Sequence, residues 1–348
     1  MKKRLSALIV LALAFALVLA ACTPDAPAPA PAQQAPPAQQ GAAATPEPAA
    51  TTFPNSTINL NVAFGAGGGT DLTARAFQAV APQYFNNQAF TVSNVTGGGG
   101  AVWFSQGALQ SPDGYEVTVV TVELLTLPLL QDVPFTPQDY SFIARLNFPA
   151  AAITVRADSD WETLDDFLAA AADRPGELRV GNSGVNAIWD LHTHALAQAA
   201  GVSFNHIPYE GAAPAVAALM AGEIDAVAVS AAEVSVQIDD GTFRLLAVAA
   251  PERLDAFPDI PTYNELGLDV PHIGGWRGLA VPAATPPEVV AEWAARAEQV
   301  VNNPEFINIM TQQNLTVDFL NTADFVAYIA EQQAFFTNLI QELGLAEY

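Results

Sequence analysis

Leu60-Asn61-Val62-Ala63-Phe64, then Gly65-Ala66-Gly67-Gly68-Gly69-Thr70-Asp71, then Leu72-Thr73-Ala74-Arg75-Ala76-Phe77: the reading of this stretch decides the fold. Its first part is apolar enough for a strand buried on both faces, as in a parallel sheet. Its last part carries apolar residues at helical spacing, with Thr70 or Asp71 as the expected N-cap. The glycines between them let backbone N–H groups approach a ligand without intervening side chains. Strand, glycine loop and helix N-terminus together form an anion site, through orphan donors and the positive end of the helix dipole. The bland alternative is a glycine turn that serves only close strand–helix packing.

Two nucleotide readings fail on the residues. A Walker loop needs Gly-Lys-Ser/Thr after its glycines, and no lysine follows Lys3. A dinucleotide fingerprint needs G-x-G-x-x-G and an acidic residue roughly 20 positions on. Here Gly65-x-Gly67 is followed by Gly68, Gly69 and Thr70, and no acidic residue occurs between Asp71 and Asp113.

Upstream, Lys2, Lys3 and Arg4 precede an apolar run from Leu5 to Ala21, the layout of a signal peptide over residues 1–21. The run ends Leu19-Ala20-Ala21-Cys22, which matches the lipobox of bacterial lipoproteins. Cys22 is the single cysteine in 348 residues, and lipidation is expected there, leaving a mature chain without a disulfide. Residues 22–54 are rich in Ala, Pro and Gln and cannot bury a core. They read as an extended tether, reaching roughly 90 Å at about 3.1 Å per residue.

The remaining 290 or so residues suffice for two α/β domains. Strand signals at 89–92, 117–122, 152–155, 178–180, 204–207, 224–230, 245–249 and 276–281 alternate with helical stretches at 163–173, from 188, up to 220, 287–301 and 322–343. Small polar or glycine loops follow several strands: Gly97 to Gly100, Gly181 to Asn186, and Pro208 to Pro214. Such alternation predicts mostly parallel sheets with ligand loops at the strands' carboxyl ends.

Six segments resemble the substrate-binding proteins of tripartite tricarboxylate transporters: FGAGGGTDLTAR, SNVTGGGGA, SPDGYEVTVV, IPYEGAAPAVAALMAGEIDAVAV, IPTYNELGLDV and GWRGLAVPAATPPEVV. They occur in the family's order and span nearly the whole chain after the tether. Two places depart from the family pattern: Asn186-Ala187-Ile188-Trp189-Asp190, where a small pair and a histidine are common, and Ala63-Phe64, where Pro-Phe is usual. The resemblance implies a two-lobed α/β fold of the type II periplasmic-binding-protein kind. Lobe I is expected over 55–145 and 273–348, lobe II over 146–272. It implies an extracytoplasmic receptor for a small di- or tricarboxylate that delivers its ligand to an integral membrane permease. A sensor for a two-component system and an extracytoplasmic enzyme are the alternatives.

The ligand is expected at the loops: Phe64, Ala66, Gly67, Gly68, Thr70 and Asp71 from the first, and Gly98 and Gly99 from the second. Thr121 ends the third strand. Ser183, Gly184, Asn186, Tyr209, Gly211, Ala212 and Ser230 come from the second lobe. Arg75, four residues after Asp71, is placed in a helix-surface ion pair. Trp276 and Tyr209 are expected to line the cleft, whereas Trp161, Trp189 and Trp293 fit core packing equally well.

No catalytic or metal constellation is read in the sequence, and no cofactor is expected. Gly181-Asn182-Ser183-Gly184-Val185 lacks the second glycine of a G-x-S-x-G elbow. His192 and His194 fall on different helix faces, and His206 and His272 have no neighbours at ligand spacing. The formal charge is −24; without Lys2, Lys3 and Arg4, 9 basic residues face 36 acidic ones and it becomes −27. That excess argues against nucleic acid and anionic lipid surfaces as partners. The loops 64–70, 95–102 and 181–187 contain no acidic residue, so the sequence predicts a neutral, donor-rich cleft inside an acidic shell.

Overall fold

The computed structural model describes residues 53–346. The expected signal peptide, Cys22 and the tether as far as Thr52 lie outside the described residues. Phe53, assigned to the tether, is buried, with its ring 5.2 Å from Tyr115 and 6.5 Å from Trp293.

The chain runs through β1 (Ile58–Val62), α1 (Gly69–Val80), β2 (Phe90–Asn94), α2 (Ala101–Gly107), β3 (Glu116–Thr121), α3 (Glu123–Leu130) and β4 (Tyr140–Asn147). It continues through β5 (Ala151–Arg156), α4 (Leu164–Asp173), β6 (Arg179–Asn182), α5 (Ile188–Ala200), β7 (Asn205–Pro208), α6 (Ala212–Ala221), β8 (Ala226–Ser230), α7 (Ser235–Asp239) and β9 (Phe243–Val248). It finishes with β10 (Arg277–Pro282), α8 (Pro287–Val301), α9 (Pro304–Gln312), β11 (Val317–Leu320) and α10 (Thr322–Glu342). None of the described helices is long and apolar enough to cross a membrane.

Two sheets result, in the orders β11-β4-β10-β3-β1-β2 and β7-β6-β8-β5-β9. Each is mixed and, as expected, mostly parallel in direction: β1, β2, β3 and β4 run one way in the first sheet and β6, β7, β8 and β9 in the second. β1 runs parallel to β2 and β3, and β6 runs parallel to β7 and β8. β10, β4 and β11 in the first sheet, and β5 and β9 in the second, pair antiparallel. The reason is topological. The chain passes from the first sheet to the second after β4 and returns after β9; the strands it enters, β5 and β10, run against the parallel set, as does β11, whereas β4 and β9 run with it. The glycine loops follow the carboxyl ends of β1, β2, β6 and β7, all in the parallel sets. The two passages are tied together: Ala151 N donates to Ile273 O at 2.9 Å and Gly275 N to Pro149 O at 3.0 Å, around an antiparallel bridge between Ala150 and Gly274.

Strand burial follows from apolar content. β8, Ala-Val-Ala-Val-Ser, is buried at all positions. One end of the first sheet is covered by an aromatic cluster in which Phe77, Phe85 and Phe90 surround Trp293, with the Phe85 ring 4.6 Å from the indole.

Candidate functional site

α1 begins as the sequence suggests, but its cap is Gly68; Thr70 and Asp71 lie inside the first turn. Asp71 serves the loop instead. Its Oδ2 accepts from Gly67 N at 2.8 Å and Arg75 Nε at 2.9 Å, and its Oδ1 from Asn94 Nδ2 at 3.0 Å. Burial opposes the Asp71 charge, yet Arg75, the Gly67 N–H and Asn94 together hold its pKa below the usual value. The expected Arg75–Asp71 ion pair is present.

Between the two sheets lies a cavity with about 350 Å³ of empty space, part of it open to solvent. Phe64, Gly68, Gly69, Thr70, Thr121, Glu123, Gly275 and Arg277 line it from the first-sheet side or the return passage, and Ser183, Ile188, Trp189, Ala212 and Glu233 from the other. The expected neutral lining is overturned: a guanidinium and two carboxylates sit in it.

These three charges are arranged across the boundary between the sheets. Arg277, at the start of β10, has only 2% of its side chain exposed. Its Nε donates to Thr70 Oγ1 at 3.1 Å and its Nη2 to Glu233 Oε1 at 3.0 Å. Glu233 Oε1 also accepts from Gly69 N at 2.9 Å, at the N-terminus of α1. Its Oε2 is held by Ser230 through N and Oγ, each at 2.9 Å. Glu123 does the reverse. It lies after β3 in the first sheet, and its Oε1 accepts from Ile188 N at 2.9 Å, at the N-terminus of α5. Its Oε2 takes the Thr121 hydroxyl. Each of these helix N-termini is therefore occupied by a carboxylate from the opposite side. Burial pushes the Glu123 carboxyl up from its ordinary value and the Arg277 guanidinium down. Arg277 Nη1 is buried without a hydrogen-bond partner, a donor that costs free energy until an acceptor meets it.

The family model described as "Tripartite tricarboxylate transporter family receptor" matches residues 74–345. The chain belongs to this receptor family. A relative from Cupriavidus necator, a "UPF0065 protein in gbd 5'region", is 29% identical over 296 residues, covering 85% of this chain and 90% of that one. A solved "TctC solute binding protein" from Polaromonas, without ligand, is 39% identical with a TM-score of 0.62, covering 83% of this chain and 99% of that one. Two Rhodopseudomonas palustris structures share the fold at 22% identity: MatC with bound malate, covering 83% and 100% at a TM-score of 0.77, and Rpa4515 with adipate, covering 84% and 99% at 0.80. The family consists of solute receptors.

Of the residues expected to form this receptor's site, Phe64, Gly68, Thr70, Thr121, Ser183 and Ala212 line the cavity. Gly67 and exposed Ala66 face away from it; Gly67, with φ +82°, opens onto a neighbouring depression beside Ala213 and Val216. Gly98, Gly99, Gly184 and Gly211 do not line the cavity; Gly99, Gly184 and Gly211 sit where backbones cross between the two sides, and Gly98 packs within its own loop against Ala101. A Cβ on Gly99 would meet Val185 O at 2.8 Å, and one on Gly211 would meet Gly65 N at 3.0 Å. There Gly65 N donates to Glu210 O at 2.9 Å. Tyr209 N holds Asn182 O at 3.1 Å, and Ser230 orients Glu233. Trp276 is fully buried, packed edge-on against Phe325 at 5.4 Å, while Trp189 is the tryptophan in the cavity wall.

The residues missed were Glu123, Glu233 and Arg277. Their signal was available: each is a lone charge in an otherwise apolar or small-residue run, in TVVTVELLTL, VAVSAAEV and GGWRGLAVP. The expectation that His206 has no ligand-spaced neighbour also needs correction. It used spacing along the chain, and the fold brings His206 against Asp190 and His194, with ligating atoms of the three within 4.8 Å of one another.

Proposed function

We propose that the chain is an extracytoplasmic lipoprotein receptor that captures a small di- or tricarboxylate between its lobes, for a tripartite tricarboxylate-type permease. Lobe I comprises residues 55–145 and 273–348, and lobe II comprises 146–272. Cys22 carries the lipid, and the tether beyond it holds the receptor at the outer face of the membrane. One observation carries the carboxylate reading: Arg277, buried in the cavity with an unpartnered Nη1, stands beside two helix N-termini that each already hold a carboxylate. Arg is suited to planar bidentate carboxylate recognition.

Binding on this reading is an exchange. Glu233 and Glu123 occupy donors suited to the ligand's carboxylates and hold the lobes together meanwhile. An incoming acid takes Arg277 Nη1 first and then competes for the helix N-termini. Closure of the lobes over the acid is a hinge motion, and the paired passages at Ala150 and Gly274 are suited to it.

Calorimetric titration of the full-length chain with malate, adipate and citrate tests the reading, beside Arg277→Gln. One acid is expected to bind at one per chain and to be recovered unaltered, and Arg277→Gln is expected to weaken it by about tenfold or more, the loss of a charge-assisted bond. Unchanged affinity in that variant would remove Arg277 from the site. A chemically altered product would point to an enzyme.

A further inference from the structure

We propose that Asp190, His194 and His206 form a binding site for a divalent transition metal of the zinc class, on the second lobe just behind the cleft wall. Asp190 and His194 are four apart on α5 and so share one helix face. β7 lies parallel to β6 with His206 opposite Val180, which brings its ring across to that face. The His194 and His206 rings lie 4.1 Å apart, and His206 Nδ1 is 2.6 Å from Asp190 Oδ1. Asp190 is buried and both histidines are half-buried, so the trio is fixed by packing and still open to an entering ion.

The donor set selects the metal class. Two imidazoles and a carboxylate are borderline ligands that favour zinc, copper or nickel over magnesium and calcium. Zn–N and Zn–O distances near 2.0–2.2 Å put tetrahedral ligands roughly 3.4 Å apart. The present spread, up to 4.8 Å, requires a swing of the His194 ring on the order of 1 Å. The ion would replace the direct His206–Asp190 hydrogen bond and leave a fourth position for water. The supporting shell that oriented ligands require is present. Asn182 Nδ2 donates to Asp190 Oδ1 at 2.9 Å and Asn186 N to Oδ2 at 3.0 Å. Asn182 Oδ1 in turn accepts from Gly184 N at 3.0 Å. The metal would therefore brace the loop that presents Ser183 to the cavity.

The test uses the full-length chain without a histidine tag, stripped by chelation and titrated with Co²⁺, whose visible absorption reports tetrahedral ligation, and then with Zn²⁺ in competition. One cobalt per chain is expected, displaced by zinc. His194→Ala and His206→Ala should each weaken it by at least the roughly 10- to 100-fold that losing an outer-shell partner costs. His272→Ala should leave it unchanged. The proposal is overturned if the wild type takes up no stoichiometric cobalt, or if the double variant His194→Ala/His206→Ala binds as the wild type does. Should a variant fail to fold, the wild-type stoichiometry decides alone. Binding of an organic acid in the cleft is read separately and does not depend on the outcome.

Discussion

Arg277 lies in a six-residue strand that is otherwise Gly, Leu, Ala, Val and Pro, and it is as buried as its neighbours. Burying that charge is tolerated because Glu233 faces it, and breaking such a pair from one side leaves an uncompensated charge that costs about 3–5 kcal/mol. We therefore expect Arg277→Met to lower stability by that order in urea unfolding. The double variant Arg277→Met/Glu233→Gln should lose distinctly less than the two single changes together. Strict additivity would show that the pair is not coupled. Gly69 gives a second expectation at this scale. A Cβ there would meet Arg277 and lie 2.8 Å from Glu233 Oε1, whereas one on Gly68 meets nothing nearer than 3.6 Å. Gly68 has φ −78°, ordinary for any residue, so Gly69 carries the steric requirement. Gly69→Ala should abolish or strongly weaken acid binding in titration, and Gly68→Ala should leave it within a few-fold of wild type; the reverse order would contradict the geometry. Sequence pattern located the loop because glycine runs stand out locally. It could not locate Glu123, Glu233 and Arg277 as a set, since Glu233 meets Arg277 across 44 positions and Glu123 reaches the Ile188 N–H across 65.

α5 shows how an element can be legible while its use is not. Its start at Ile188 followed from the small polar loop before it, while its end, at a left-handed Gly201, was not read in the sequence. Its burial pattern is less regular, because α5 is enclosed on several sides and His192 is fully buried. His192 Nε2 lies 2.9 Å from the Tyr263 hydroxyl, and its Nδ1 has no partner. Burial pushes its pKa down to about 3, below the 6.5 or so of an unfolded histidine. Between these values the unfolded chain binds more protons. The His192 contribution is therefore complete above about pH 6.5 and is lost as pH falls toward 3, by about 1.4 kcal/mol per unit within that window. Glu123, raised by burial, works in the opposite sense, favouring the fold below its ordinary pKa and ceasing to as pH rises. Comparison with His192→Gln isolates the histidine: from pH 7.5 to 5 the wild type should lose more stability than the variant. Equal losses would exclude a neutral buried imidazole. Elements missed in the sequence escaped for different reasons. α3, Glu-Leu-Leu-Thr-Leu-Pro-Leu-Leu, is apolar nearly all round, so it has no helical period to detect. β4 carries Arg145 within an apolar run. In the fold that guanidinium lies over the Tyr328 ring at 4.5 Å and bonds Asp318 Oδ1 at 2.7 Å. β11 is only four residues long.

Across the whole molecule, an acidic exterior surrounds a site that we assign to an anion, and the two act over different ranges. The chain's formal charge of −24 is screened beyond roughly 8–10 Å at physiological salt, so it governs approach. Contact is governed by Arg277 Nη1 and the N–H groups of Gly69 and Ile188, which are buried and screened little. Raising ionic strength should therefore speed association modestly by relieving long-range repulsion and leave dissociation nearly unchanged. The exchange with Glu233 and Glu123 sharpens the chemical requirement. A ligand has to be at least as good an acceptor as the carboxylates it displaces. A monoamide of the cognate acid is a poorer acceptor for these donors and would leave Arg277 facing a neutral group. It should bind much more weakly than the acid at every salt concentration, with the difference appearing in dissociation. Stopped-flow tryptophan fluorescence can follow both rates, because Trp189 forms part of the cavity wall. If acid and monoamide dissociated at the same rate, the carboxylate would not be what the cleft holds, and the buried guanidinium with its two glutamates would be a lock between the lobes and nothing more.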